Sequence, residues 1–182
     1  MSAFAPPEFE SLEQVRARVA VGLAGVQRVI CVMSGKGGVG KSAVAVQLAL
    51  ELSARGLRVG LFDADLQGPS LAGMLGLRGR PVAAQGEQLL PVAGPSGVLV
   101  QSMDFMLQGN QALDWEGPDG EAAGLRSALE QAALADLLAG TRWGALDVLI
   151  ADLAPGADRL PALAQLLPRC EALAVAIPAG AE

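Results

Sequence analysis

The stretch Ser34-Gly35-Lys36-Gly37-Gly38-Val39-Gly40-Lys41-Ser42 decides the reading of this chain. From Gly35 to Ser42 it carries the pattern GxxxxGK[ST], which is informative when it lies between a strand and a helix. Upstream, Arg28-Val29-Ile30-Cys31-Val32-Met33 is a short β-branched run with no polar residue after Arg28, as suits a strand covered on both faces. Downstream, apolar positions recur at helical spacing from Lys41 to about Ala54, and Gly56 is placed to end that helix. The context therefore reads as a phosphate-binding loop. Glycines let backbone N–H groups turn inward on phosphate oxygens, and the helix N-terminus adds a favourable dipole. Gly35, Lys36, Gly37, Gly38, Val39, Gly40, Lys41, Ser42 and Ala43 are the candidate nucleotide-binding residues. In this chemistry Lys41 neutralises the β- and γ-phosphates, and the Ser42 hydroxyl ligates Mg²⁺.

Working outward, Leu57-Arg58-Val59-Gly60-Leu61-Phe62 reads as a second buried strand ending in Asp63-Ala64-Asp65. Strand, helix and strand at this spacing form a right-handed βαβ unit. Ligands of open α/β sheets bind at the carboxyl edge, where Asp63 and Asp65 stand. Carboxylates there can orient metal-bound or attacking water, although the same residues also suit a loop cap. Leu146 to Ala151 is a further buried strand leading to Asp152, which is placed to hold Mg²⁺ through water or to cap a helix. Other expected elements are a helix from Glu8 to about Leu23 with Ser11 as N-cap, and short strands within residues 77–120, Val98 to Ser102 being the best. Helices are expected from Glu121 to about Leu138 and over Leu160 to Leu167, and a strand over Leu173 to Ile177. Together these predict one α/β domain at 28–182: a mainly parallel sheet with helices on both faces, in three layers. A tail and helix at 1–27 precede it, and the helix is expected to pack as core rather than serve a partner.

Composition narrows the function. Hydrophobic residues make up 52% of the 182 and charged residues 18%, which excludes disorder for most of the chain. The net charge is −6 and the only lysines are Lys36 and Lys41, so there is no basic face for nucleic acid. The absence of His removes His-based acid–base and metal chemistry. Cys31 and Cys170 lie far apart in sequence and form no CxxC pair. No signal-peptide pattern or membrane-length apolar run is visible, so a cytoplasmic protein with no membrane partner is expected.

Lys36 is a second cation inside the loop, and KGGxGK[ST] is the spacing of the deviant Walker A motif. The loop resembles that of the MinD/ParA/Mrp superfamily of P-loop ATPases. The resemblance implies that Lys36 reaches across a nucleotide-sandwich homodimer to the partner's phosphates. The segment from Leu61 to Ser70 is similar to the DADxxGPS switch I of the Mrp/ApbC branch. That likeness implies that Asp65 helps position the hydrolytic water and that Asp63 supports the metal shell. Met74 to Leu77, Ser102 to Leu107, Trp115 to Pro118 and Trp143 to Asp152 are similar to the same branch, so the resemblance runs from about Val15 to Pro178.

The family's DxPPGTGD, switch II, is replaced here by Asp152-Leu153-Ala154-Pro155-Gly156-Ala157-Asp158. Glu116 stands where the family tends to carry Arg, and Gln47 where it carries Asn. Family members continue past Ile177-Pro178 into adenine-contacting segments and a CPxC pair that binds a bridging Fe–S cluster. This sequence ends at Glu182 without that pair, which predicts a C-terminally shortened fold and leaves ATP against GTP open. The resemblance thus implies a MgATP-dependent ATPase acting as a homodimer in iron–sulfur cluster carriage or assembly, with a target or scaffold protein as partner. Lys36, Lys41, Asp65 and Asp152 are the expected catalytic residues, and Ser42, Asp63 and Asp152 the expected metal ligands. Two other readings are a ParA/MinD-like partition or positioning switch and a relative that binds nucleotide without hydrolysing it.

Overall fold

β-branched Val29 to Met33 forms β1, and the glycine loop carries the chain from it directly into α2 (Lys41–Ala54). The computed structural model describes residues 10–106, 122–167 and 169–176, with the side chains of 122–127 excepted. In chain order the elements are α1 (Leu12–Gly22), β1 (Val29–Met33), α2 (Lys41–Ala54), β2 (Val59–Ala64) and α3 (Leu71–Met74). Then follow β3 (Ala83–Gln85), β4 (Gln88–Leu90), β5 (Val92–Ala93) and β6 (Leu99–Gln101). The last are α4 (Ala122–Gly140), β7 (Val148–Leu153), α5 (Arg159–Ala164) and β8 (Glu171–Ala174).

Local chemistry sets several of these limits. Ser11 caps α1 in a capping box: its hydroxyl accepts from Gln14 N at 3.3 Å, and its own N–H donates to Gln14 Oε1 at 2.7 Å. Gly56, at φ +89°, ends α2 in a Schellman motif. There Gly56 N–H donates to Ser53 O at 2.9 Å and Leu57 N–H to Leu52 O at 3.2 Å.

Six strands make one sheet in the order β5-β6-β2-β7-β1-β8, parallel throughout except for the β5–β6 pair. Side chains alternate faces along each strand. In β2, Val59 and Leu61 point to the layer of α2 and α3, where they meet Ala45, Val46, Ala49 and Leu71. Phe62 and Ala64 point to the opposite layer, which contains Val19 of α1, Leu138 of α4 and Leu163 of α5. The expected three-layer α/β architecture is what forms. Trp143 anchors the second layer: its indole N–H donates to Leu138 O at 3.1 Å and its ring meets Phe62 edge-on.

Some limits differ from the sequence expectation. β2 and β7 each run about two residues further, because the ladder continues through Asp63 opposite Asp152 and Ala64 opposite Leu153. Both aspartates therefore sit inside strands rather than after them. α5 spans six residues, and the chain turns at Gln165 instead of continuing as helix to Leu167. β8 begins at Glu171, two residues before the expected start, while Ile177 lies outside the described residues. Trp115 to Pro118, Glu121 and the tail at 1–7 also lie outside them. The hairpin of β3 and β4, closed at Gly86 with φ +64°, was not expected as a separate two-stranded sheet. Its alternation is too short to separate from the surrounding loop signals. α1 contributes Val19, fully buried, to the core shared with α4, and a Cβ at Gly22 would lie 2.6 Å from Ala139 Cα.

Asp147 ties the entry of β7 to that of β2. It accepts from Arg58 N and Nη2 at 2.8 Å each, and the Arg58 guanidinium pulls its carboxyl down to about 2. A carboxyl whose folded-state pKa lies below its unfolded value of about 3.9 stabilises the fold above that value. Its contribution is lost as pH falls toward about 2. Asp147→Asn is therefore expected to lower stability at pH 7 and to match the wild type near pH 2, read by denaturant unfolding across pH. An equal gap at both ends would show that the carboxylate charge has no part in it.

Candidate functional site

The glycine loop folds as its residues require. Gly38 and Gly40 have φ of +79° and +86°, conformations that a side chain disfavours. A Cβ added at Gly35, Gly37, Gly38 or Gly40 would meet nothing within 4 Å, so the space beside each is open. Ser34 is buried and its hydroxyl donates to Lys36 O at 3.0 Å, bracing the loop's first turn. Gly37, Gly38, Gly40, Lys41, Ser42 and Ala43 line a cavity of about 450 Å³, closed on its far side by Asp65, Gly68, Ser70 and Pro155. Gly35, Lys36 and Val39 complete the loop around it, and Lys36 lies on its exposed side.

Beneath the loop sits a buried ion pair. Lys41, the first residue of α2, bonds Asp152 Oδ1 through its ammonium and also donates to Ser42 Oγ at 3.3 Å. Asp152 is wholly buried in β7. Burial pushes its carboxyl up from the usual range, and its bond to Lys41 opposes that rise. Its second oxygen, Oδ2, is buried and has no hydrogen-bond partner among the described residues. An orphaned carboxylate oxygen next to a serine hydroxyl at a phosphate-shaped loop is the donor set Mg²⁺ prefers, so the residues present fit the ion.

Asp63, opposite Asp152 across the β2–β7 ladder, has a different task. Its Oδ2 accepts from Ser70 N at 3.0 Å, Leu71 N at 3.1 Å and Ser102 Oγ at 3.2 Å; its Oδ1 accepts from Asp65 N at 3.3 Å. Burial pushes its carboxyl up to about 7. These four bonds occupy the carboxylate that sequence reasoning assigned to the metal shell. The geometry makes it the scaffold of the 65–71 loop. Asp65 lines the cavity while its Oδ1 accepts from Gly68 N at 3.0 Å, so it is both loop cap and cavity wall. The structure thus brings Lys41, Ser42 and Asp65 to the wall of one cavity, with Asp152 buried behind Lys41. It also ties the segment after β7 to the loop, through Gly156 N–H donating to Ser34 O at 2.9 Å. Sequence reasoning missed Glu130 of α4, which is buried beside the same loops and bonded to Gln67 and Arg159. Its signal was a charge on the stripe that continues through Leu134, Leu137 and Leu138.

A family model described as the NUBPL iron-transfer P-loop NTPase, of the ParA group, matches residues 25–181. The chain belongs to that family. Among its relatives, the iron-sulfur cluster carrier protein of Saccharolobus solfataricus is 37% identical over 161 residues, covering 87% of this chain and 51% of that protein. The protein of the same name from Escherichia coli K12 is 38% identical over 165 residues, covering 90% and 42%. That from Deinococcus radiodurans is 46% identical over 142 residues, covering 78% and 38%. The chain thus spans about half or less of the length of these relatives. A nucleotide-binding protein from Archaeoglobus fulgidus, solved in complex with ADP and with Co, superposes with a TM-score of 0.71. It is 31% identical, and the match covers 94% of this chain and 61% of that one. The kinase domain of E. coli tyrosine kinase ETK shares the fold at 14% identity and a TM-score of 0.51. Among the described residues, no helix of this family member is long and apolar enough to cross a membrane.

Removing one partner of a buried ion pair leaves an uncompensated charge, whereas removing both does not. Lys41→Ala is expected to destabilise the fold by about 3–5 kcal/mol, and Lys41→Ala/Asp152→Ala by less. Chemical denaturation of the two variants checks this. A double variant weaker than the single would show that the pair does not compensate itself.

Proposed function

We propose that this chain binds MgATP in the glycine loop and hydrolyses it. The observation that carries the reading is the buried Lys41–Asp152 pair under a loop whose glycines hold positive φ around open space. A buried ammonium held at the first turn of α2 supplies fixed positive charge where phosphates would lie. Ser42 Oγ and the unpartnered Asp152 Oδ2 are the residues that would hold Mg²⁺, directly or through water. When bound, that ion neutralises charge developing on the β- and γ-phosphates. Asp65, on the cavity wall, orients the attacking water, and Asp63 keeps the loop that carries Asp65 in place.

Lys36, on the loop's exposed side, is assigned the role its motif implies: contact with the phosphates of a second copy in a nucleotide-dependent homodimer. The relatives' name, iron-sulfur cluster carrier protein, supports coupling of this nucleotide cycle to cluster delivery to a target protein. The cluster is cargo in that reading, and Cys31 is a poor ligand for it. Cys31 is buried, and burial pushes its thiol up to about 12, so it stays protonated at neutral pH. Among the described residues no group of three or more His, Cys, Asp or Glu is placed to hold a metal.

Calorimetric titration of MgATP is expected to show one site per chain, lost in Lys41→Ala. Steady-state turnover is expected to fall about tenfold or more in Lys36→Ala while MgADP binding persists, because a group reaching the phosphates in trans acts on the transition state. Absence of MgATP binding to the wild type would overturn the proposal. Equal loss of MgADP binding in both lysine variants would overturn the separate role of Lys36.

A further inference from the structure

Glu130 is a buried acid on an otherwise apolar helix face. It occurs on the stripe that continues through Leu134, Leu137 and Leu138, where packing alone would favour a hydrocarbon side chain. Both of its oxygens are engaged. Oε1 accepts from the Gln67 side-chain amide, and Oε2 from Arg159 Nη1 at 2.8 Å. Its side chain is 9% exposed and that of Arg159 35%, so the pair is half-sheltered and retains strength that a surface pair would lose.

The two partners belong to the two segments that border the phosphate cavity. Gln67 lies two residues after Asp65, in the loop that Asp63 scaffolds. Arg159 opens α5, just after the segment whose Gly156 N–H donates to Ser34 O. A second cavity of about 380 Å³, walled by Glu130, Gln67, Arg159 and Leu163, also touches Asp65 and Pro155, which line the phosphate cavity too. The contacts therefore run in one chain: glycine loop, post-β7 segment, Arg159, Glu130, Gln67 and the Asp65 loop. α4 anchors this chain of contacts through Leu137 and Leu138 in the core.

We propose that Glu130 is a positioning residue that holds the Asp65 loop and the segment after Asp152 as one unit, through Gln67 and Arg159. Displacement of either segment strains the other, because a buried carboxylate that loses one partner is costly. Its catalytic consequence rests on the ATPase reading above; the mechanical link does not.

The test uses the full chain without nucleotide and follows amide hydrogen exchange in Gln67→Ala and Arg159→Ala, both at partly or fully exposed positions. Arg159→Ala is expected to raise exchange at residues 65–70 as well as at 154–160, although its hydrogen bond runs to Glu130 and not to that loop. Gln67→Ala is expected to do the reverse. Exchange changes confined to the mutated segment in both variants would overturn the proposal. In MgATP turnover, each variant is expected to lose about tenfold in kcat with KM within about twofold, and the double variant to be no worse than either single. Multiplying losses in the double variant, or unchanged kcat in both singles, would also overturn it. A wild type without turnover would count against the ATPase reading alone, and the exchange result would still decide the link.

Discussion

The site depends on how two buried carboxylates are made tolerable side by side. Asp63 and Asp152 face each other across the β2–β7 ladder, both fully buried, and like charges at that separation resist joint ionisation. Burial raises both carboxyls. Asp63 is satisfied by three backbone amides and a hydroxyl, Asp152 by the ammonium of Lys41. Among the described residues Lys41 is the only buried cation. It can reach Asp152 only if α2 starts directly over the sheet's carboxyl edge, and that placement bends the loop from β1 through Gly38 and Gly40 at positive φ. The cavity lined by Lys41 thus adjoins the buried charge that Lys41 compensates.

The same economy gives the site its proposed responsiveness. Lys41 bonds Asp152 and lines the open cavity, so in the proposed reading a polyphosphate entering the loop would compete for the ammonium. Asp152 would then need another cation, and its unpartnered Oδ2 beside Ser42 is where Mg²⁺ fits.

Much of this was legible before the structure. α2 spans the residues its periodicity indicates, Gly56 ends it, and Ser11 caps α1, because each depends on chemistry within a few residues. The glycine loop was legible for the same reason. What was not legible depends on partners distant in sequence. Asp63 was assigned to the metal shell by the likeness of Leu61 to Ser70 to switch I. Besides Asp65, the groups that bond it, on Ser70, Leu71 and Ser102, are seven to 39 residues away. Strand ends were read two residues short because aspartates ordinarily mark loops, and here a ladder and an ion pair carry them inside. Glu130 went unread because a single charge in an Ala/Leu-rich helix has no local pattern that identifies its partners at positions 67 and 159.

The measurement that tests this account most directly is a crystal structure of the chain with Mg²⁺ and a non-hydrolysable ATP analogue. The account expects the analogue's phosphates inside the glycine loop, Lys41 Nζ transferred from Asp152 to a phosphate oxygen, and Asp152 facing the metal or its water. An intact Lys41–Asp152 bond with the analogue bound elsewhere, or an empty loop at saturating analogue, would contradict it.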